Sequence, residues 1–275
     1  MTKSPAKTSF KNKMGLSYAY GPEDWEETLG NINRKIFSGV EIPGEFLDRK
    51  NISDEFKSAG MEIFNVRDPL PQSITGTIYG QMPNILEKIQ KQFSTTLKKV
   101  SGCQCPNVSL DFGIDLALGT RERRDFIINF IKQAVPALYG EKICLCLPAR
   151  IPMAPPATAE NYFSFLRDTM YWGIRFSADI YPHDPMKNAS FEELIRWYRF
   201  DMNIVRFVYE PEAGNLIVEK ILEAWFAVLK NVSYGGPIIF CPKISSASHF
   251  IRESERLAEI IKTVRAMEAC QCNTN

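Results

Sequence analysis

Eight short apolar stretches run through this chain, each closed by polar or charged residues and followed by sequence with helical spacing: residues 16–20, 39–42, 61–66, 108–112, 142–147, 174–179, 202–209 and 237–241. A strand followed by a helix, repeated in this way, calls for an α/β fold in which parallel strands are covered by helices. Eight such units point to a closed (β/α)8 barrel, which takes about 250 residues. The chain has 275, and no linker divides it. The expectation is therefore one domain over residues 14–275, a single TIM barrel, preceded by a short disordered arm over residues 1–13. Chemistry in such a barrel sits at the C-terminal ends of the strands and in the loops that follow.

Local signals fit the units. Pro22 opens the turn before a helix over 24–33, and Glu23, Asp24, Glu26 and Glu27 complement the helix N-terminus. Gly60 is a stop signal for a helix near 51–58. Ile85, Ile89, Phe93 and Leu97 form one stripe on a helix over 84–100, and a further helix is expected over 121–138. Ser190 and Glu193 make a capping-box pattern. Leu216 opens the seventh helix, over 216–230, and the last covers 248–269. The connection 69–83 is long for its place after the third strand and reads either as a lid over the mouth or as a plain insertion. Residues 148–156 contain four prolines, too rigid for a helix and well placed to shape one wall of a site.

Composition narrows the partners. Net charge is +1, from 33 basic and 32 acidic residues, which leaves no electrostatic footprint for nucleic acid or an anionic membrane. No stretch is long and apolar enough to span a bilayer, and residues 1–13 lack the apolar core of a secretory signal. Seven cysteines, with Cys-x-Cys pairs at 103/105, 144/146 and 270/272, read as reduced thiols of a cytoplasmic protein. Ion binding or a disulfide at the repeated Cys-Gln-Cys is the alternative. Cys144 and Cys146, two apart on one strand, should face the same side.

Four segments carry a family resemblance: Gly39-Val40-Glu41-Ile42 on the second strand, residues 86–100 followed by 108–112, residues 142–148, and 174–179 followed by Ile180-Tyr181-Pro182-His183. In order and spacing the chain resembles the xylose isomerase-like barrels, the superfamily of sugar-phosphate isomerases, epimerases and a related apurinic endonuclease. The resemblance implies isomerisation or epimerisation of a sugar. It also implies a divalent metal held by a Glu, an Asp, a His and a second Glu at four strand ends. Here the fifth-strand Glu falls at Pro148, and Asp179 is retained. The following His falls at Pro182, with His183 one place late. The seventh-strand His falls near Phe207 and the last Glu near Cys241 or Pro242. No metal or other cofactor is expected unless a site is rebuilt elsewhere, for example from Asp111, Asp179, His183 and Glu210.

Strand alternation turns Arg175, Ser177 and Asp179 inward together, with Arg206 facing them from the next strand. Asp179 then has two readings, a partner for a buried arginine or a carboxylate that binds a hydroxyl or moves a proton. The candidate catalytic residues are Asp179 with Glu210 as a carboxylate pair, and His183 as an alternative base. Glu41, Arg67, Asp111, Arg150 and Lys243 are the candidate ligand-binding residues, within a mixed ring that also holds Asp68, Asp115 and Glu212. Such a ring suits a polyhydroxylated partner, because carboxylates accept from hydroxyls and Arg or Lys donate to them or hold a phosphate. Tyr18, Tyr20, Tyr181 and Tyr209 are candidates for sugar-stacking faces. The function expected is a sugar isomerase- or epimerase-like protein acting on, or binding, a sugar or sugar-phosphate-like ligand without the usual metal. The rival is a non-catalytic barrel that binds a carbohydrate-like ligand or a protein. The oligomeric state is left open.

Overall fold

The computed structural model of the protein describes residues 12–18, 24–70, 83–112, 121–151, 164–165, 167–169, 173–181, 199–211 and 219–273. Eight parallel strands close on themselves in sequence order. They are β1 (Met14–Ser17), β2 (Phe37–Pro43), β3 (Glu62–Arg67), β4 (Asn107–Ser109), β5 (Cys144–Ile151), β6 (Arg175–Ile180), β7 (Met202–Tyr209) and β8 (Ile238–Pro242). Pairing of β1 with both β2 and β8 completes the ring, so the (β/α)8 barrel is the fold of this chain. Described helices outside it are α1 (Trp25–Leu29), α2 (Ile52–Ser58), α3 (Pro83–Gly102), α4 (Arg121–Glu141), α5 (Glu219–Asn231) and α6 (Ala247–Asn273). A 3-10 turn, Gly44–Asp48, follows β2.

Alternation along the strands sorts two cores. Outward residues such as Leu16, Val40, Ile63, Val66, Leu145, Ala178, Phe207 and Phe240 pack with the helices in one large cluster. From α3, Ile89, Phe93 and Leu97 join it as the stripe predicts, and the Phe93 ring lies 5.4 Å from Phe130 of α4. Inward residues form a small apolar cluster of Phe64, Cys146, Ile204, Val208, Ile239 and Cys241. Cys144 packs against it beside Cys146, so the two do share a face. The register shifts between Val40 and Glu41, and Asn65 rather than Phe64 stands opposite Glu41. This bulge turns two successive residues inward, Phe64 to the apolar cluster and Asn65 to a polar one. The Phe64 ring fills the space beside Gly39, where an added Cβ would lie 2.3 Å from its Cζ atom.

Some boundaries differ from the sequence reading. The fourth strand is Asn107–Ser109, not 108–112, because the Asp111 amide donates to the Asp68 side chain at 3.2 Å instead of entering a ladder. The fifth strand does not stop before the prolines. It runs through Pro148, opposite Ser177, to Ile151, opposite Ile180. A proline forfeits one ladder donor but its fixed φ is compatible with extended chain. The first helix is short and ends at Gly30. The fourth continues past Pro136 to Glu141. Gly60 ends α2 with a φ of 70°, as its stop signal requires.

Asn12 and Lys13 are held to the barrel, Asn12 by donating to the Tyr234 and Gly236 carbonyls and Lys13 by accepting from the Ile238 amide. Residues 1–11, most of the 69–83 connection, and the segments bearing Tyr20, Asp115, Ser190 and Glu212 lie outside the described residues. Among the described residues, no helix is long and apolar enough to cross a membrane.

Candidate functional site

Two polar layers lie toward the C-terminal ends of the strands. The inner one is buried. Glu41 of β2, Asn65 and Arg67 of β3, Ser109 of β4, Ser177 and Asp179 of β6, Arg206 of β7 and Ser17 of β1 are all at most 3% exposed. Arg206 organises it. Its Nε and Nη2 donate to Glu41 Oε1 at 3.0 and 2.6 Å, and its Nη1 donates to Asp179 Oδ2 at 2.7 Å. Ser17 donates to Glu41 Oε1 and Asn65 to Oε2, each at 2.6 Å. Ser109 donates to Asn65 Oδ1 at 3.1 Å, which fixes the orientation of that amide. Ser177 reaches Asp179 Oδ1 at 3.3 Å, and Arg67 Nη1 reaches Asp179 Oδ2 at 3.4 Å. All four oxygens of the two carboxylates therefore have donors, as burial demands. Burial alone would raise the Glu41 carboxyl, but Arg206, then Arg67 and the Ser17 hydroxyl, outweigh it and hold it below its ordinary value.

The outer layer meets solvent. Arg67, with its side chain 4% exposed, reaches up to Asp68 Oδ2 at 3.2 Å and to Asp111 Oδ2 at 3.5 Å. The Asp111 side chain is 20% exposed and that of Asp68 is 48% exposed. Asp68 has a φ of 47°, a left-handed conformation rare for a residue with a side chain. Its amide donates to the Ser109 carbonyl at 2.8 Å. Gly44 permits the fold there, since an added Cβ would lie 2.4 Å from the Asp68 carbonyl oxygen. Elsewhere on the rim, Lys243 Nζ donates to Glu210 Oε1 at 2.9 Å, both exposed.

The structure thus brings together Glu41, Arg67, Asp111 and Asp179 from the sequence-predicted set. Glu210 and Lys243 pair with each other at the surface. Arg150 stands opposite Asp179 in the β5–β6 register, but its side chain, like His183, lies outside the described residues. Two of the proposed stacking tyrosines face the other way. Tyr18 is 3% exposed and stacks on Phe250 of α6 at 5.1 Å, and Tyr209 is 1% exposed and donates to Glu253 of α6 at 2.8 Å. Tyr18, just after β1, and Tyr209, at the end of β7, fall on the outward phase of the alternation. Ser17, Asn65, Ser109 and Arg206 were absent from the candidate site set. For Ser17 and Ser109 the signal was available, a small polar residue on the inward phase of an apolar strand.

Among the described residues, the donor set around the retained Asp179 does not fit a divalent cation. Its Oδ2 already accepts from two guanidinium groups, and an added ion would face both positive charges. Among the described residues, no three His, Cys, Asp or Glu side chains converge in a geometry that could hold a metal.

Comparison with solved structures places the fold. D-psicose 3-epimerase from Clostridium cellulolyticum H10, solved with D-tagatose, matches with a TM-score of 0.68 at 12% identity, covering 92% of this chain and 98% of that one. The 3-keto-D-glucoside 4-epimerase from E. coli matches at 0.66 and 14% identity, covering 90% and 99%. A xylose isomerase domain protein from Planctomyces limnophilus matches at 0.60 and 12% identity, covering 96% and 99%. At these identities the likeness is one of fold, the closed eight-stranded barrel. No protein-family model and no curated protein matches the chain.

Proposed function

We propose that the protein binds a small, uncharged, carbohydrate-like ligand at the mouth of its barrel. The observation that carries this reading is the outer layer, where Arg67 holds Asp68 and Asp111 side by side with their carboxylates partly open to solvent. Carboxylates fixed in this way accept hydrogen bonds from sugar hydroxyls without a further ordering cost. A phosphate ester is less well served. Both described guanidiniums of the site, Arg67 and Arg206, already bind carboxylates. D-tagatose, the sugar bound to the D-psicose 3-epimerase, is an uncharged ketohexose and suits such a mouth.

A second reading, isomerase- or epimerase-type proton transfer, keeps its support from the same solvent-facing carboxylates. Asp111 and Glu210 are the more solvent-exposed carboxylates, whereas Asp179 is enclosed by Arg206, Arg67 and Ser177. His183 is the remaining candidate base.

Calorimetric titration with D-tagatose, D-fructose and fructose 6-phosphate tests the proposal. The free ketohexoses should bind the wild-type protein and not Asp111→Asn, with the phosphate ester weaker. Binding of the ester alone would overturn the uncharged-ligand reading, and silence of all three would favour a protein-binding barrel.

A further inference from the structure

We propose that the Arg206 guanidinium is the resident cation of this barrel, filling the place between Glu41 and Asp179 that would otherwise hold an ion. This goes beyond the ligand at the mouth, since it concerns the inner layer alone.

Glu41 on β2 and Asp179 on β6 stand on facing walls, four places apart in a ring of eight strands. Two carboxylates aimed into a dry interior need a cation between them. Arg206, on β7 beside Asp179 in register, supplies it and reaches both walls through Nε, Nη1 and Nη2. Its planar fork satisfies several acceptor directions at once, which a compact ammonium on the same strand cannot do. Arg67 adds a second positive charge, shared between Asp179 of this layer and Asp68 and Asp111 of the outer one. A divalent ion placed there would face both guanidinium groups at close range. Without the Arg206 side chain, Glu41 and Asp179 face only the shared Arg67 guanidinium across a vacancy lined by Ser17, Asn65 and Ser177. That vacancy has the shape and charge for a free guanidinium ion, and its oxygens are hard donors of the kind that magnesium or manganese takes.

The experiment uses the full chain as wild type, Arg206→Ala and Arg206→Ala/Asp179→Asn. Thermal unfolding is recorded in sodium chloride, in millimolar guanidinium chloride and in manganese chloride, and manganese stoichiometry is read by equilibrium dialysis. Arg206→Ala should lose stability and recover most of the lost Tm with guanidinium. It should also bind one equivalent of manganese. The double variant should lose both responses, and the wild type should show neither. One equivalent of manganese on the wild type, or an Arg206→Ala protein that responds to neither cation, would overturn the proposal. Should Arg206→Ala fold poorly, its refolding from urea reads the same point. Recovery that depends on guanidinium supports the resident-cation role, and equal failure in guanidinium and sodium chloride contradicts it. Sugar titrations of the wild type are independent of either outcome, so failure here and failure at the mouth are separable.

Discussion

Arg206 on β7 and Glu41 on β2 meet inside the barrel, with Nη2 2.6 Å from Oε1, and neither side chain is exposed to solvent. The pair joins strands that are not neighbours in the ring. Its effect is to cross-link the walls and to turn a carboxylate near the strand ends into a structural group.

The pH dependence of stability should report on Glu41. Its carboxyl is held below its ordinary value in the folded state, where Arg206 and Arg67 overcome the effect of burial. The unfolded chain therefore takes up a proton at higher pH than the folded one. The stability this group contributes is fully present above the unfolded value of about 4.3 and is lost as pH falls through the lower folded value. Urea unfolding of wild type and Glu41→Gln from pH 7 down to pH 3 should show the acid loss reduced in the variant. Parallel losses in the two proteins would remove Glu41 from the account.

A double-mutant cycle measures the Asp179–Arg206 pair. Asp179→Asn leaves the Arg206 charge with one carboxylate partner fewer, and breaking a buried pair from one side costs about 3 kcal/mol. The cycle with Arg206→Met should give a coupling of about 1–3 kcal/mol, in the range for directly bonded residues. A coupling near zero would mean that the 2.7 Å contact carries no stability.

Gly39→Ala should destabilise the barrel by about 2 kcal/mol, the usual cost of overpacking. The new methyl would fall against the buried Phe64 ring, 2.3 Å from Cζ. Adding Phe64→Leu should recover part of the loss in urea unfolding. A neutral Gly39→Ala would show that the ring has room to shift.

The Tyr209 hydroxyl ties β7 to α6 through Glu253, which Arg256 also holds by two hydrogen bonds. Tyr209→Phe removes one buried bond and should cost about 1 kcal/mol. Hydrogen exchange should quicken at the start of α6 and not in the strands. Exchange that is unchanged along α6 would argue against the tie.

The strand count, the closure and the inward phase of Ser177, Asp179 and Arg206 were legible because period-two alternation is a local property of the chain. The ion-pair reading of Asp179 followed from the same phase and matches the observed contact with Arg206. Asn65 was not legible. It faces Glu41 only because the β2–β3 register slips by one residue, which alternation cannot foresee. The wide span from Glu41 to Arg206 was hidden for a different reason: side-chain reach across a barrel is not encoded in the spacing of either strand. Tyr18 and Tyr209 were misassigned to the mouth because their aromatic character was weighed above their outward phase.

The proposed ligand site at the mouth requires a division of labour, with Asp179 serving the fold and Asp111 the ligand. Thermal unfolding of Asp179→Asn and Asp111→Asn, each with and without D-tagatose, tests it most directly. The account predicts a large drop in Tm for Asp179→Asn. It predicts a Tm near that of the wild type for Asp111→Asn, with the stabilisation by sugar abolished. A stable Asp179→Asn protein that no longer responds to the sugar, beside an Asp111→Asn protein that still does, would contradict it.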